Sequence, residues 1–569
     1  MNSWTPRLLL SLAVLVPLTA PAEEPTGVPT YTDVTLQSGI AFQHVSGQAD
    51  RKDYIFETKG GGVGFFDYDR DGWLDLLLVQ GSTVEKALAG EKATPALFHN
   101  RGDGTFEDVT SRSGLAGGAW GMGVTFGDYD NDGDADVYLT QLGPDLLYRN
   151  NGDGTFTDVT ERSGIRADGW STSASFGDCD GDGLLDLYVA GYLDYGPSHL
   201  PPKTRDCTYL GTPVLCGPRG LEGARDYLYR NRGGGVFEDV TQTSGAVDKD
   251  RYYGLGVLWS DLDGDGDLDL FVGNDATPNY LFENLGDGKF EDIGFISGVA
   301  VSADGNEQAS MGVDSGDYDN DGRLDLFLTH FASDYSTLYH NEGGLMFTDV
   351  SGQAGLKDPE WSLVAWGTRF MDVNLDGWKD LLHANGHVYP YLEHSDKTEQ
   401  FREPASLYLN RGNGTFVDVS KSAGSGFVQP LVGRGVAFGD YDNDGDLDLV
   451  IANLNGTPRL LRCDRRDSNH WLMLRLEGKS GNRDAIGSRI SVECGGLTQV
   501  WEVKRTVGIY SASDPRAQFG LGSQEVIDHM RVRWPDGTVQ AFDDVATDRH
   551  LLLREGGRLE PEPGTPLPR

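Results

Sequence analysis

Positive charge is scarce in this chain of 569 residues: 47 Lys and Arg stand against 88 Asp and Glu, a net charge of −41 at neutral pH. That balance makes nucleic acid and anionic membrane surfaces poor partners. Cysteine is rare as well, with five residues and no C-x-x-C spacing, which argues against zinc ribbons and thioredoxin-like redox motifs. There is no G-x-S-x-G, H-E-x-x-H, P-loop or dinucleotide fingerprint. Long apolar runs are also missing. The one near the N-terminus, from Leu8 to Ala20, follows Arg7 and leads into Ala20-Pro21-Ala22. It is too short for a membrane span and predicts a secretory signal cut after about Ala22, hence a secreted or periplasmic protein.

What the chain has instead is a nine-residue acidic loop written seven times. The first reads Asp67-Tyr68-Asp69-Arg70-Asp71-Gly72-Trp73-Leu74-Asp75, and the copies start at Asp128, Asp178, Asp261, Asp317, Asp372 and Asp440. Carboxylates at alternate positions, with a glycine for the sharp turn, are what a hard cation such as Ca2+ needs. Side chains at positions one, three, five and nine and the backbone carbonyl at position seven give the expected ligands. They are Asp67, Asp69, Asp71, Trp73 and Asp75; Asp128, Asp130, Asp132, Asp134 and Asp136; Asp178, Asp180, Asp182, Leu184 and Asp186; and Asp261, Asp263, Asp265, Asp267 and Asp269. The last three sets are Asp317, Asp319, Asp321, Arg323 and Asp325; Asp372, Asn374, Asp376, Trp378 and Asp380; and Asp440, Asp442, Asp444, Asp446 and Asp448. No His or Cys holds a ligand position, which disfavours zinc and copper. An EF-hand would need an acidic residue at position twelve, where the first loop has Leu78, and flanking helices, where this chain has short apolar runs such as Leu76-Leu77-Leu78-Val79. In loop six Asn374 replaces a carboxylate and Lys379 adds positive charge, so weaker binding is expected there.

A second motif alternates with the loops. Phe106-Glu107-Asp108-Val109-Thr110 recurs from Phe156, Phe237, Phe290, Phe347 and Phe416, and Tyr31-Thr32-Asp33-Val34-Thr35 is its first copy. The loops begin 61, 50, 83, 56, 55 and 68 residues apart. Repeats of this size with about four short strands each are propeller blades, and one blade has too little core to stand alone. The fold expected is therefore all-β: a closed seven-bladed β-propeller over residues 31–465. After it the texture changes. Residues 469–569 carry a net charge of only −1, and Trp471–Leu476, Ile490–Cys494 and Met530–Trp534 read as strands. A small β-sandwich over 469–556 and a flexible tail from 557 are expected.

The Phe-Gly pairs before the loops (Phe126-Gly127, Phe176-Gly177, Phe438-Gly439) and the loops themselves resemble FG-GAP (VCBS-type) repeats. The stretches Asn469-His470-Trp471-Leu472, Asn482-Arg483-Asp484-Ala485-Ile486-Gly487, Phe519-Gly520-Leu521-Gly522 and Arg533-Trp534-Pro535-Asp536-Gly537 resemble an ASPIC/UnbV domain. Together they resemble the cartilage acidic protein family and its bacterial relatives. The resemblance implies secretion and up to seven Ca2+ ions on one rim of the propeller. It supplies architecture more than activity.

Two further expectations concern cysteines and the other rim. Cys207 and Cys216, in an insertion of repeat three (roughly residues 191–226), are expected to pair in an exported protein. Cys463 and Cys494 are the next candidates, which would tie propeller to sandwich and leave Cys179 free. Opposite the acidic loops, Asn274, Asp275, His330, His383, Asn385 and His387, with Glu307 and Gln308, could gather at a central funnel as a ligand pocket, a catalytic site or a transition-metal site. The leading function is an exported, calcium-stabilised binding, scaffold or adhesion module for an extracellular protein or glycan. The alternative is an enzyme acting on polysaccharide at the His-containing rim.

Overall fold

The computed structural model describes residues 27–565 apart from 197–198, 204–205, 396 and 480; the expected signal segment lies outside them. Seven sheets follow one another along the chain, each with four antiparallel strands and the first extended by a short parallel fifth. Each is a blade that begins with the strand before an acidic loop and continues with the strand after it. Blade one consists of Val63–Phe66, Asp75–Leu78, Ala96–Asn100 and Phe106–Asp108. In blade seven the outermost strand is not the last in sequence but the first: Thr30–Asp33 pairs with Arg459–Asp464. The chain thus fastens its own two ends, and the innermost strand of blade seven, Gly433–Gly439, packs on that of blade one. A closed ring leaves no sheet edge between blades exposed.

The F-x-D-V-T segment is the fourth strand plus the entrance to a one-turn helix. Thr110–Ser113 is such a helix, and Gly114 ends it with φ 84°. A Cβ at Gly114 would stand 2.4 Å from the carbonyl oxygen of Phe156 on the next blade, so only glycine lets the blades meet there.

After the ring, two four-stranded sheets pack on each other around Leu472, Leu474, Phe519, Ile490, Val532 and Trp534. This sandwich includes strands the sequence did not announce: Leu497–Glu502, Ala517–Gly522 and Arg549–Arg554, the last parallel to His470–Glu477. The sandwich sits on the acidic rim of the propeller. His550 Nε2 lies 2.8 Å from Asp440 Oδ2, the Arg516 guanidinium donates to Asp440 O at 2.7 Å, and the Gly522 N–H donates to Leu375 O at 2.9 Å. Arg533 pairs with Asp261, and the amides of Asp128 and Asp261 donate to Asp484 and Glu502 at 2.8 and 2.9 Å.

Residues 504–514 leave the sandwich and run into the centre of the ring. Lys504 pairs with Asp314 at 2.7 Å, and Thr506 shares a 2.6 Å hydroxyl bond with Thr125. Gly508 exchanges backbone bonds with Val313, and Ser511–Ala512 adds a parallel bridge to Val63–Gly64. This plug touches the inner strands of almost every blade. Its tip, Ile509 and Tyr510, is buried with Phe56, Trp120, Trp170, Met311 and Trp366.

Cys207 and Cys216 form a disulfide across the hairpin Cys207–Tyr209/Thr212–Val214. The second expected pairing is not made: Cys463 and Cys494 are both free and buried. Cys463 faces the closing strand beside Tyr31, while Cys494 ends a sandwich strand and its thiol points to Val526 O at 3.3 Å. Cys179 is free and buried, its thiol bonded to Asp186 Oδ2 at 3.0 Å.

Candidate metal centres and an axial pocket

One hydrogen-bond plan builds all seven acidic loops. The ninth-position aspartate starts the second strand and is buried in every blade. Its Oδ2 accepts the amide of position two, at 3.2 Å for Tyr68 on Asp75 and 2.9 Å for Val373 on Asp380. Its Oδ1 accepts an amide from the third strand, at 2.8 Å for Asn100 on Asp75 and 2.8 Å for Cys463 on Asp448. In five loops the first-position aspartate accepts the amides of positions five and six, as Asp128 does from Asp132 and Gly133 at 3.0 and 2.7 Å. The fifth-position carboxylate caps the seventh amide, as Asp71 does for Trp73 at 2.9 Å. Two residues per loop are left-handed: the expected glycine at position six, and also position four, occupied by Arg70, Asn131, Gly181, Gly264, Asn320, Leu375 and Asn443.

These bonds aim the carboxylates at one point. In the first three loops, oxygens of the first, third and ninth residues (Asp67, Asp69, Asp75; Asp128, Asp130, Asp136; Asp178, Asp180, Asp186) lie within 4.8 Å of one another. Asp130, Asp178, Asp319 and Asp442 each keep an Oδ1 that is closed to solvent and has no hydrogen-bond partner. Buried, unpaired carboxylate oxygens are costly in the absence of a counter-charge. The donor set is oxygen-rich and fits a hard cation.

Electrostatics of the ion-free loops point the same way. Burial pushes Asp75, Asp128 and Asp269 up to about 8, Asp186 and Asp317 to about 7, and Asp67 and Asp178 to about 6. Asp440 is the exception. Burial raises it too, but the bond from His550 and the nearby Arg516 outweigh that and hold it below its ordinary value.

The third strand brings residues that sequence reasoning left out. The third residue of the segments Leu97-Phe98-His99-Asn100 and Leu338-Tyr339-His340-Asn341 places His99 Nδ1 3.3 Å from Asp69 and 3.2 Å from Asp75, and His340 Nδ1 3.5 Å from Asp319 and 3.2 Å from Asp325. Hydrogen bonds to those carboxylates lift both imidazoles to about 9. In blade three Arg230 pairs with Asp180 at the same place. In loop six the Asn374 amide donates to Asp376 at 2.9 Å, and the buried Lys379 lies against the faces of Trp501 and Phe519. The signal in the sequence is the residue just before the Asn that recurs in six of the seven repeats.

That Asn has its own task. The Nδ2 group of Asn100, Asn150, Asn231, Asn284, Asn341 and Asn410 donates to the second residue of the preceding blade's loop, as Asn150 does to Tyr68 O at 2.8 Å and Asn100 to Tyr441 O at 2.8 Å. Each also donates to its own loop. Blade seven has Cys463 instead.

The residues expected at the opposite rim separate. Asp275 lines a cavity on the ring axis, with Tyr192 and Glu307. His383 is buried within blade six, its ring stacked against Phe327 and Tyr408. His330 Nε2 lies 3.1 Å from Thr337, Asn385 donates to Pro404 O and Ser406, Asn274 donates to Pro278 O, and His387 Nδ1 accepts the amides of Val388 and Tyr389. Gln308 donates to Tyr335 O. The group the sequence did not single out is Lys59, the only charged residue between Glu57 and Arg70 other than the loop's own aspartates. It is buried and pairs with Asp275 at 3.1 Å.

The ASPIC and UnbV family matches residues 478–560. Among curated proteins, Cartilage acidic protein 1 of Xenopus tropicalis is 25% identical over 295 residues, covering 50% of this chain and 42% of that protein. The Homo sapiens protein of the same name is 24% identical over 294 residues, 50% of this chain and 41% of its own. The match therefore spans about two-fifths of the length of those relatives. Among solved structures, an Agrocybe aegerita lectin that recognises non-reducing terminal N-acetylglucosamine aligns with a TM-score of 0.37 at 17% identity, over 70% of this chain and 86% of that one; at that score the likeness carries no argument. The FG-GAP-like repeat matches six times, over residues 67–139, 131–189, 214–272, 261–328, 317–383 and 396–451, and with more than half of its length so matched the chain belongs to the FG-GAP-like repeat proteins.

Proposed function

We propose that this chain is an exported binding or scaffold module whose propeller is held together by Ca2+ in the acidic loops, up to one ion per blade. The observation that carries the reading is the convergence of first, third and ninth carboxylates with closed-off, unpartnered oxygens among them. The ion would neutralise charge that the fold has already gathered, so its role is structural. Loop six would bind most weakly, because Asn374 replaces a carboxylate and the buried Lys379 already supplies positive charge there. Export is supported by the apolar segment after Arg7 and by the Cys207–Cys216 disulfide. Among the described residues no helix is long and apolar enough to cross a membrane.

Metal analysis of the purified protein together with a calorimetric Ca2+ titration tests this. Several Ca2+ per chain are expected, with no transition metal, and Asp75→Asn should remove one. A chain that takes up no Ca2+ after stripping would end the reading.

A further inference from the structure

The cavity on the ring axis lies at the mouth opposite the acidic loops and encloses about 360 Å³, within the range of small-molecule sites. Its floor is the plug's neighbourhood: Trp366 and Met311 line it, and Tyr510 of the plug stacks behind Trp366 at 6.4 Å. The channel therefore ends there, and the cavity is blind. Its walls are Ile55, Tyr192, Leu215, Phe331, Val388 and Tyr389. One side is the disulfide-closed hairpin, pinned by Tyr391 to Tyr209 O at 2.7 Å and by Tyr209 to Glu399 at 2.5 Å.

The polar groups are few and specific. Lys59 Nζ donates to Asp275 Oδ2 at 3.1 Å, and the Tyr192 hydroxyl donates to the same oxygen at 2.5 Å. Lys59 has three N–H bonds, and Asp275 is its one hydrogen-bond acceptor among the described residues; the faces of Tyr192 and Trp366 flank it at 4.9 and 5.0 Å. Among the described residues both hydrogen bonds to Asp275 fall on Oδ2, none falls on Oδ1, and the residue lines the cavity. An ammonium with spare donors therefore lies beside a carboxylate with a spare acceptor, in an aromatic pocket. A lone anion placed there would meet Asp275, and a lone cation would meet Lys59. At the mouth Arg219 and Glu307 are likewise paired, at 3.0 Å.

We propose that this axial pocket binds one neutral pyranose ring, with neighbouring hydroxyls bridging Lys59 and Asp275 and a C–H face against the aromatic wall. A hydroxyl both donates and accepts, so two adjacent ones satisfy the ammonium and the carboxylate together. The apolar face of the ring suits Tyr389, Phe331 and Trp366. Because the cavity is blind, the ring enters end-on, either as a free sugar or as the terminus of a chain. This inference names the ligand of the binding-module reading and rests on that half of it; calcium in the loops is a separate matter.

The test uses the full chain with calcium present. Saturation-transfer NMR and calorimetry are run with methyl glycosides of glucose, galactose, mannose and N-acetylglucosamine, and retention is measured on immobilised oligosaccharides with the same termini. At least one glycoside is expected to saturate. Asp275→Asn should weaken it by about tenfold or more, the worth of a hydrogen bond to a charged group. Leu215→Trp adds bulk to the cavity wall on the disulfide-closed side, at a residue bonded to neither member of the ion pair, and should abolish binding while the thermal melt shows the chain still folded. Retention of chain ends as well as free glycosides assigns a glycan terminus; free glycosides alone assign a soluble sugar. The inference is overturned if no glycoside saturates, if binding survives both variants, or if only internal chain segments are retained. A chain that takes calcium but no sugar loses this inference and keeps the metal reading; sugar without calcium does the reverse.

Discussion

Stripping the metal should make the protein less stable as pH rises, the opposite of what a typical set of surface carboxylates would do. Asp75 and Asp269 are buried, and in the ion-free fold each is pushed from 3.8 to about 8. Asp186 and Asp317 follow at about 7. In the unfolded chain all of them return to ordinary values. Between about pH 4 and pH 8 the folded, metal-free chain therefore holds protons that the unfolded chain has released, and stability falls with pH across that window. His99 and His340, lifted to about 9, act in the same direction above their unfolded value of 6.5. One pKa unit is worth about 1.4 kcal/mol, so a rise of roughly four units at Asp75 alone sets an upper scale of about 5 kcal/mol. That is comparable with the whole stability of many domains, about 5–15 kcal/mol. Several such groups acting together leave the metal-free propeller marginal at pH 8.

The assay is a thermal melt by circular dichroism on protein stripped by chelator and desalted, at pH 5 and pH 8, with and without added Ca2+. Without metal the melting temperature should be lower at pH 8 than at pH 5 by about ten degrees, a few kcal/mol on the usual scale. Added Ca2+ should raise the pH 8 value far more than the pH 5 value, because at pH 5 protons already neutralise the loops and compete with the ion. A metal-free melt that stays level or rises from pH 5 to pH 8 would refute the reasoning, since the buried carboxylates would then have their charge balanced by something else.

Three substitutions probe the frame. Asn150→Ala removes bonds to Tyr68 O and Ala135 O at 2.8 and 3.2 Å and leaves two buried carbonyls short of a donor; a loss of about 2–4 kcal/mol is expected in urea unfolding with an unchanged slope. Arg70→Asn places an amide at a left-handed position (φ 61°) where Asn131, Asn320 and Asn443 already donate to the next loop's glycine carbonyl at 2.9–3.0 Å; a gain of about 1 kcal/mol is expected, since the 3.7 Å contact of Arg70 with Asp134 is half exposed and worth little. Gly508→Val has φ 70° and would put a Cβ 2.9 Å from Thr368 N, so it should dislodge the plug, cost about 2–4 kcal/mol and change the near-UV signal of Trp366 and Tyr510.

What repeats along a chain is legible in it, and what occurs once is not. The seven loops, the F-x-D-V-T strands and the count of blades all carry a period, and the position-six glycine announces its own turn. The plug carries none. Its segment, Thr506-Val507-Gly508-Ile509-Tyr510-Ser511, has no alternation that a single neighbouring strand could explain, because its partners are spread over the inner strands of the whole ring. Of the candidate funnel residues, Asn274 and Asn385 end their strands and His383 lies within one, and strand position alone does not say which way a side chain turns. His383 turns into its blade between Phe327 and Tyr408, whereas Asp275, just past a strand end, turns to the axis. Lys59 was invisible because it precedes the first repeat's inner strand and has no counterpart in the other repeats.

The charge of the sandwich shows the same limit in another form. A net of −1 over residues 469–569 reads as neutrality, and it is neutrality only as a sum. In the fold Arg516, Arg533 and His550 all face the acidic rim, and Arg489 reaches the carbonyl of Gly322 there. A surface cation is worth little where water screens it, but these side chains are largely enclosed between two domains, where the attraction is stronger. Two of them land on first-position aspartates, Asp261 and Asp440, while Arg516 also holds Asp514 at 2.7 Å as it enters the rim. The domain that closes the rim is therefore seated on the first-position aspartates of two acidic loops. It is also the domain that sends Tyr510 beneath the floor of the axial pocket, so the acidic rim and the opposite mouth are joined by one continuous segment, residues 504–516, rather than through the blades alone.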